Sequence, residues 1–553
     1  MTNCKLIVIF LALHLPCVLA ASSSSSEVCP RPASGSTVMP PPEVKASNGR
    51  LQVDLSFRSE VDSYGLTRYC YIHENSIETP TLRVRPGDEV VLNLKNELRE
   101  LPAAGSREHL HAENSCSADG SPGQTMTAVS TNLHFHGLEI PPVCHQDDVI
   151  RTAIQPSDSA FQYRFRIPAS QPPGLYWYHP HPHGFSEAQV LGGASGALIV
   201  EGIEQRKPQV AGLPERVLIL RDQINPVGRT GRKNAPDDQD DQTGKDISLN
   251  FVPVMYPLYM PAVMRVKPNR REFWRVLNAS ADTYFTLQIV SVKNGRRVPD
   301  NLQLIAMDGV PAADKINAAP LSRILISPGA RAEFVVVSPQ ADAFAQLVSS
   351  SYDTGPDGSA NPDRVIANIV ARDNSPDTES VDSTSPAGSE AWQFSGLEGV
   401  RPARVRKLYF SEDREDLRTP GKPPKYFITV EGKTPKIFDM NFRKPDITVR
   451  QGVVEDWIIE NHAREAHVFH IHQLHFQLVG RDADSVAEPM LRDTIDLPFW
   501  DGKGAYPSVR LRMDFRAPEI AGTFLFHCHI LEHEDAGMMG TVEVLKAGVV
   551  KSR

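Results

Sequence analysis

The strongest constraint on the fold of this chain is one plan that recurs three times. LRVRPGDEVVLNLKNEL begins at Leu82, MRVKPNRREFWRVLNAS at Met264 and ITVRQGVVEDWIIENHA at Ile447, about 180 residues apart. Each runs alternating strand, turn, charged residue, apolar strand and asparagine, and repetition at such a spacing predicts three homologous units. The intervening sequence has the same texture: LQVDLSF, FQYRFRIP, RVLILRD, ARAEFVVVSP, KYFITVEG and VRLRMDF alternate with period two between Gly, Pro, Asn and Asp turns. That pattern specifies antiparallel sheets with one buried face. The expected fold class is therefore all-β, three consecutive β-sandwich domains at 46–205, 213–375 and 401–548. The polar, Pro/Ser-rich stretch at 376–400 reads as a flexible linker.

The N-terminus carries an export signal. Lys5 precedes the apolar LIVIFLALHLPCVLA, and Val18-Leu19-Ala20 suits cleavage, so 1–20 is expected to leave and 21–45 to be a flexible lead-in. The apolar run is too short for a membrane span. A formal charge of −9 with no basic run gives nucleic acid no footing. Export makes the cysteines informative. Cys29, Cys70, Cys116 and Cys144 allow three pairings, of which Cys29–Cys70 with Cys116–Cys144 is preferred because the second closes the loop around Leu133. Cys528 is left alone, and an unpaired thiol in an oxidising compartment needs a dedicated partner.

The eighteen histidines are unevenly placed, with none between His183 and His462. The outer units carry four His-x-His pairs: His134/His136, His179/His181, His470/His472 and His527/His529. On a strand, residues two apart share a face, so each pair offers two imidazoles side by side. One pair would suggest surface histidines or part of a zinc site. Eight converging imidazoles exceed what one zinc ion uses, and a nitrogen-rich site with open positions favours copper. In HCH the alternation turns Cys528 away from His527 and His529. His467, His533 and Met538 are spaced to join it in a His₂Cys site with a weak thioether, the blue-copper arrangement.

The motifs HFHG, YWYHPHPHG, HVFHIH and HCHILEHEDAGM resemble the four copper motifs of laccase-type multicopper oxidases, in the same order and over the whole mature chain. HCHILEHEDAGMMG is most similar to bacterial spore-coat laccases, copper-efflux oxidases and bilirubin oxidases. The resemblance implies cupredoxin-like Greek-key domains and four copper ions. It assigns His467, Cys528, His533 and axial Met538 to type 1 copper and His134 and His470 to type 2. It assigns His136, His179 and His529 to one type 3 copper, and His181, His472 and His527 to the other. Phe135 replaces a common tryptophan at a position that is not a ligand. The implied reaction draws four single electrons from a donor at type 1 and reduces O2 to water at the trinuclear cluster. Its four protons call for nearby carboxylates. Glu534 matches an acidic position with that role, and Asp147 and Asp148 are further candidates between which the sequence does not choose.

The expected partners are O2 and a small electron donor meeting an exposed edge of His467 or His533. A phenol or aromatic amine comes first, with a cuprous or ferrous metallo-oxidase as the alternative; the connector has no methionine to gather Cu(I). A copper nitrite reductase would lack the eight-histidine set, and a non-catalytic copper-binding array would have lost ligands. The expected protein is a secreted or periplasmic monomer. His183 and His475 read as orienting or rim histidines, and His109, His111 and His145 as exposed loop histidines. Asn278-Ala279-Ser280 is a glycosylation triplet.

Overall fold

The computed structural model describes residues 28–546 except 64, 75–76, 100–109, 112–115, 117–124, 224–243, 256–257, 294, 314–319, 384–396, 398, 415–423, 483–487 and 489. The export signal and His109 lie outside the described residues. The architecture is all-β, built as three cupredoxin-like sandwiches of paired sheets. In the first, one sheet runs Glu43–Lys45, Thr81–Val84, Gly196–Val200, Gly174–His179 and His134–His136. It faces a sheet running Phe161–Arg166, Glu89–Asn96, Arg50–Val61, Thr67–His73 and Ile77–Glu78. The third repeats this scheme, with Ile447–Arg450, Met539–Leu545, Gly522–Cys528, His467–Ile471 and Thr494–Leu497 as the ligand-bearing sheet. The strict burial alternation of Phe161–Arg166 and Ile447–Arg450 is the period-two pattern made physical. None of the described residues forms a helix long and apolar enough to cross a membrane.

The repeated plan has a structural purpose at its last residue. Asn96, Asn278 and Asn461 are fully buried. Each donates its amide to two backbone carbonyls: Val129 and Ile154, Thr283 and Ile326, Glu465 and Pro498. Each also accepts the backbone N–H two residues ahead, from Leu98, Ser280 and Ala463. One side chain thus satisfies three polar groups that folding would otherwise strand. The same geometry removes Asn278 from the glycosylation reading, since its amide is enclosed and occupied.

Both preferred disulfides are formed, Cys29–Cys70 and Cys116–Cys144. The first helps make the described part of 21–45 an ordered strap. The Glu60 carboxylate takes the Val28 and Cys29 N–H groups at 2.8 and 2.7 Å, Thr37 bridges to Val263, and Glu43–Lys45 adds a parallel edge to Thr81–Arg83. The described start of 376–400 is likewise docked. Ser380 pairs with Pro214, and the Val381 side chain is buried beside Val210 and Leu213. Edge pairing outweighs the polar composition that suggested looseness in both stretches.

Candidate metal centre

The first cluster is assembled by one strand, its neighbour and a short helix. His467 opens the strand His467–Ile471, Cys528 ends Gly522–Cys528, and His533 lies in the single turn Leu531–Asp535. Cys528 Sγ stands 3.6 Å from His467 Nδ1 and 3.7 Å from His533 Nδ1, and the two nitrogens are 3.2 Å apart. Three donor atoms meet at distances that a single shared ion explains and that packing alone would not select. Burial pushes the Cys528 thiol up and the two imidazoles down, so a thiolate here needs a cation beside it. Met538 is fully buried in the same core, and its carbonyl accepts the Cys528 N–H at 3.1 Å.

The opposite edges of those rings end on carboxylates. His467 Nε2 is 3.2 Å from Glu412 Oε1, and His533 Nε2 is 3.0 Å from Glu465 Oε1. Arg414 reaches both acids, at 2.5 and 3.0 Å. Burial opposes charge at each; contact with His467 still draws Glu412 well below the usual carboxylate range, while burial and the Glu412 charge push Glu465 up. Tyr426 stacks on His533 with ring centroids 4.1 Å apart. The expected exposed imidazole edge is therefore absent: both rings are buried behind Glu412, Glu465 and Tyr426.

The second cluster is a chamber between the outer units. Strand register sets His136 against Trp177 and His134 against His179 in the first unit, and His470 against His527 in the third. His181, His472 and His529 follow just beyond their strand ends. All eight rings are buried, and their centroids interlock at 3.8–5.9 Å. His527 Nε2 meets His472 Nε2 at 3.1 Å and His181 Nε2 at 3.5 Å, while His136, His179 and His529 form a second mutual triad at 5.1–5.8 Å between centroids. His134 and His470 face each other at 5.8 Å. The geometry thus brings all eight rings into one chamber, in which His134 also stacks on His472 and His136 on His470, each at 3.8 Å.

The chamber fits metal ions on its own chemistry. His134 Nε2, His136 Nδ1, His179 Nε2 and His470 Nε2 are buried without a protein partner. Burial, then repulsion from neighbouring rings, holds His136, His179, His181, His470, His472 and His529 well below the usual imidazole range. Neutral rings with unused lone pairs turned inward are costly unless cations accept them. The outward nitrogens are anchored: His134 on Asp147 at 3.0 Å, His179 on the Pro180 carbonyl, and His470 on the Asp493 carbonyl at 2.9 Å.

The acids sort themselves. Glu534 is buried, 3.2 Å from His527 Nδ1 and 3.5 Å from His181 Nδ1, and burial followed by Asp535 pushes its carboxyl well up. Asp147 accepts from His134, the Phe135 N–H and Gln473. Asp148 instead pairs with Arg151 at 2.6 Å. His475 meets Glu139 at 3.2 Å, and His183 packs edge-on against Phe438 away from the chamber. His145 stacks on Phe161, and the cysteines beside it are tied up in their disulfide. Sequence reasoning missed Glu412, Glu465, Asp493 and Arg331. Only Glu465, two residues before His467, had a local signal.

Comparison with known proteins finds matches for the outer units and for most of the chain. Family models described as multicopper oxidase match residues 127–205 and 415–548. The chain is similar to a Staphylococcus aureus protein named multicopper oxidase mco, 25% identical with 84% of this chain and 82% of that one covered. It is also similar to a Haloferax volcanii laccase, 26% identical over 84% and 76%. A Campylobacter jejuni multicopper oxidase structure, titled a metallo-oxidase, superposes with a TM-score of 0.65 and 24% identity, covering 93% of this chain and 96% of that one.

Proposed function

Since this chain belongs to the multicopper oxidases, copper-dependent oxidoreductases with O2 as acceptor, we propose that it holds four coppers and takes its electrons from a reduced metal cation, Fe(II) before Cu(I). The observation that carries the donor is the pair of carboxylates on the outer nitrogens of His467 and His533. Hard oxygen donors suit Fe(II), whereas Cu(I) favours sulfur. A planar phenol, the donor first expected, finds no open imidazole edge among the described residues.

His467, Cys528, His533 and the Met538 thioether would hold a copper that supplies one-electron oxidation, and the eight histidines of the chamber would hold the coppers that supply four-electron reduction of O2. The chain supplies the rest. Glu412 and Glu465, which share Arg414, put an acidic contact on the outer edge of each ring, and a donor cation drawn to them would stand one imidazole away from the acceptor site. Cys528 joins the two ligand sets through one strand, its sulfur on one face and the rings of His527 and His529 on the other. Glu534, its carboxyl pushed well up by burial, stands against His181 and His527 where it can pass a proton into the chamber. Asp147 orients His134, and Asp148 has no part. The two disulfides support work in a secreted or periplasmic compartment.

Oxygen uptake by copper-loaded protein, with Fe(II), Cu(I) and a phenol compared, tests the donor. Glu412→Gln and Glu465→Gln should raise the KM for Fe(II) about tenfold and leave the phenol KM unchanged. Faster turnover of phenol than of Fe(II) by the parent would sink the metal-donor reading and leave the oxidase intact.

A further inference from the structure

The middle unit has no histidine, yet it reaches the chamber at two points. Gly329 sits at φ +82° in the turn before the strand Arg331–Val337, and a Cβ there would lie 2.8 Å from the His529 ring. Its bare backbone is therefore a wall against which His529 rests. Two residues later Arg331, fully buried, grips Asp493 of the third unit through two bonds, NH1 to Oδ1 and NH2 to Oδ2, both 2.7 Å. Its Nε donates to the Leu175 carbonyl of the first unit at 3.1 Å. Asp493 Oδ1 then lies 3.2 Å from His136 Nε2 and takes the Thr494 hydroxyl at 2.8 Å.

This line makes His136 an exception. His134, His179, His470 and His527 turn Nδ1 outward onto protein oxygens. His136 turns Nε2 outward onto Asp493 and leaves Nδ1 unpartnered toward the chamber. The anchor of the outward nitrogen decides which nitrogen carries the proton and which lone pair is free. Asp493 acts as that anchor only while its carboxylate is held facing the ring, and the planar guanidinium fork, itself fixed on the Leu175 carbonyl, sets that orientation.

We propose that Arg331 and Gly329 make the middle unit a positioning element of the trinuclear site: Arg331 acts through Asp493 to present His136 by Nδ1, and Gly329 sets how far His529 stands into the chamber. This rests on the copper reading of the eight histidines. Variants Arg331→Met, Arg331→Lys, Gly329→Ala and the double Arg331→Met/Asp493→Asn are compared with the parent.

In metal-free protein labelled at histidine, nitrogen NMR should show His136 protonated at Nε2 in the parent and shifted toward Nδ1 in Arg331→Met. In copper-loaded protein the blue thiolate band and anaerobic reduction by donor should be unchanged. Reoxidation by O2 should slow about 10- to 100-fold in Arg331→Met and Gly329→Ala, with Arg331→Lys part-way back. The double variant, which removes the stranded charge, should recover thermal stability without recovering reoxidation. The proposal is overturned if reoxidation returns together with stability in the double variant, or if Arg331→Met keeps the parent tautomer. Should Arg331→Met fail to fold, parent-like reoxidation in both Arg331→Lys and Gly329→Ala overturns it equally. A parent that never takes up copper would defeat the copper reading instead, and the metal-free tautomer still decides the role of Arg331.

Discussion

Single side chains divide the labour of this site, and two substitutions separate it. Cys528→Ser should abolish the visible thiolate band and O2 uptake while the chamber keeps its ions, so copper per chain falls by one in elemental analysis. Glu534→Gln should leave anaerobic reduction by donor intact and slow reoxidation about 100-fold, read by stopped flow; equal reoxidation rates would assign proton delivery elsewhere. The four histidine pairs that converge on the chamber were legible in the sequence because period-two spacing is a local property: a strand that carries His-x-His must present both rings on one side. Asp493 and Arg331 were not legible. Each is one ordinary charged residue, and their meeting depends on how the second and third units dock. Glu412 lies in the mixed-charge run SEDRED, which has no metal-ligand spacing, and only the fold shows it behind His467.

Among the elements, the strand–turn–strand plan is the part that sequence and structure share most fully. The repeat predicted three related units; what it could not show is that its closing asparagine is a latch. Asn461→Ala should strand the Glu465 and Pro498 carbonyls and lower stability by ~1–3 kcal/mol for each left unpaired, measured by denaturant unfolding. Asn278→Ala should do the same in the middle unit with no change in mass from lost glycan. The two short helices carry a pH signature. Asp535 receives the Ser186 and Glu187 N–H groups at 3.0 Å, joining the first and third units. Burial, then Glu532 and Asp535, lifts Glu187 from 4.5 to about 8. A folded pKa above the unfolded one means stability that is full below 4.5 and lost as pH rises toward 8. Tm should therefore decline more steeply between pH 5 and 8 in the parent than in Glu187→Gln; parallel profiles would refute this.

At the scale of the whole molecule, the chamber is a seam. Four of its rings come from the first unit and four from the third, and the middle unit closes the remaining wall. Ligand binding only to the folded seam stabilises it by mass action, so stripping copper with a chelator should lower Tm, and restoring copper should raise it again, with Asn461→Ala showing the same increment. The all-β class and the three units could be read from periodicity and repetition, whereas the mutual docking could not, because interfaces between units leave no period in the sequence. The docking in turn ties the site to the assembly of the chain. Each outer unit carries half of the buried rings, so the full ligand set exists only once those units have docked. Metallation and docking are then coupled: the contact that joins the units also completes the ligand set. Copper and the closed seam therefore hold one another in place, and loss of either loosens the other.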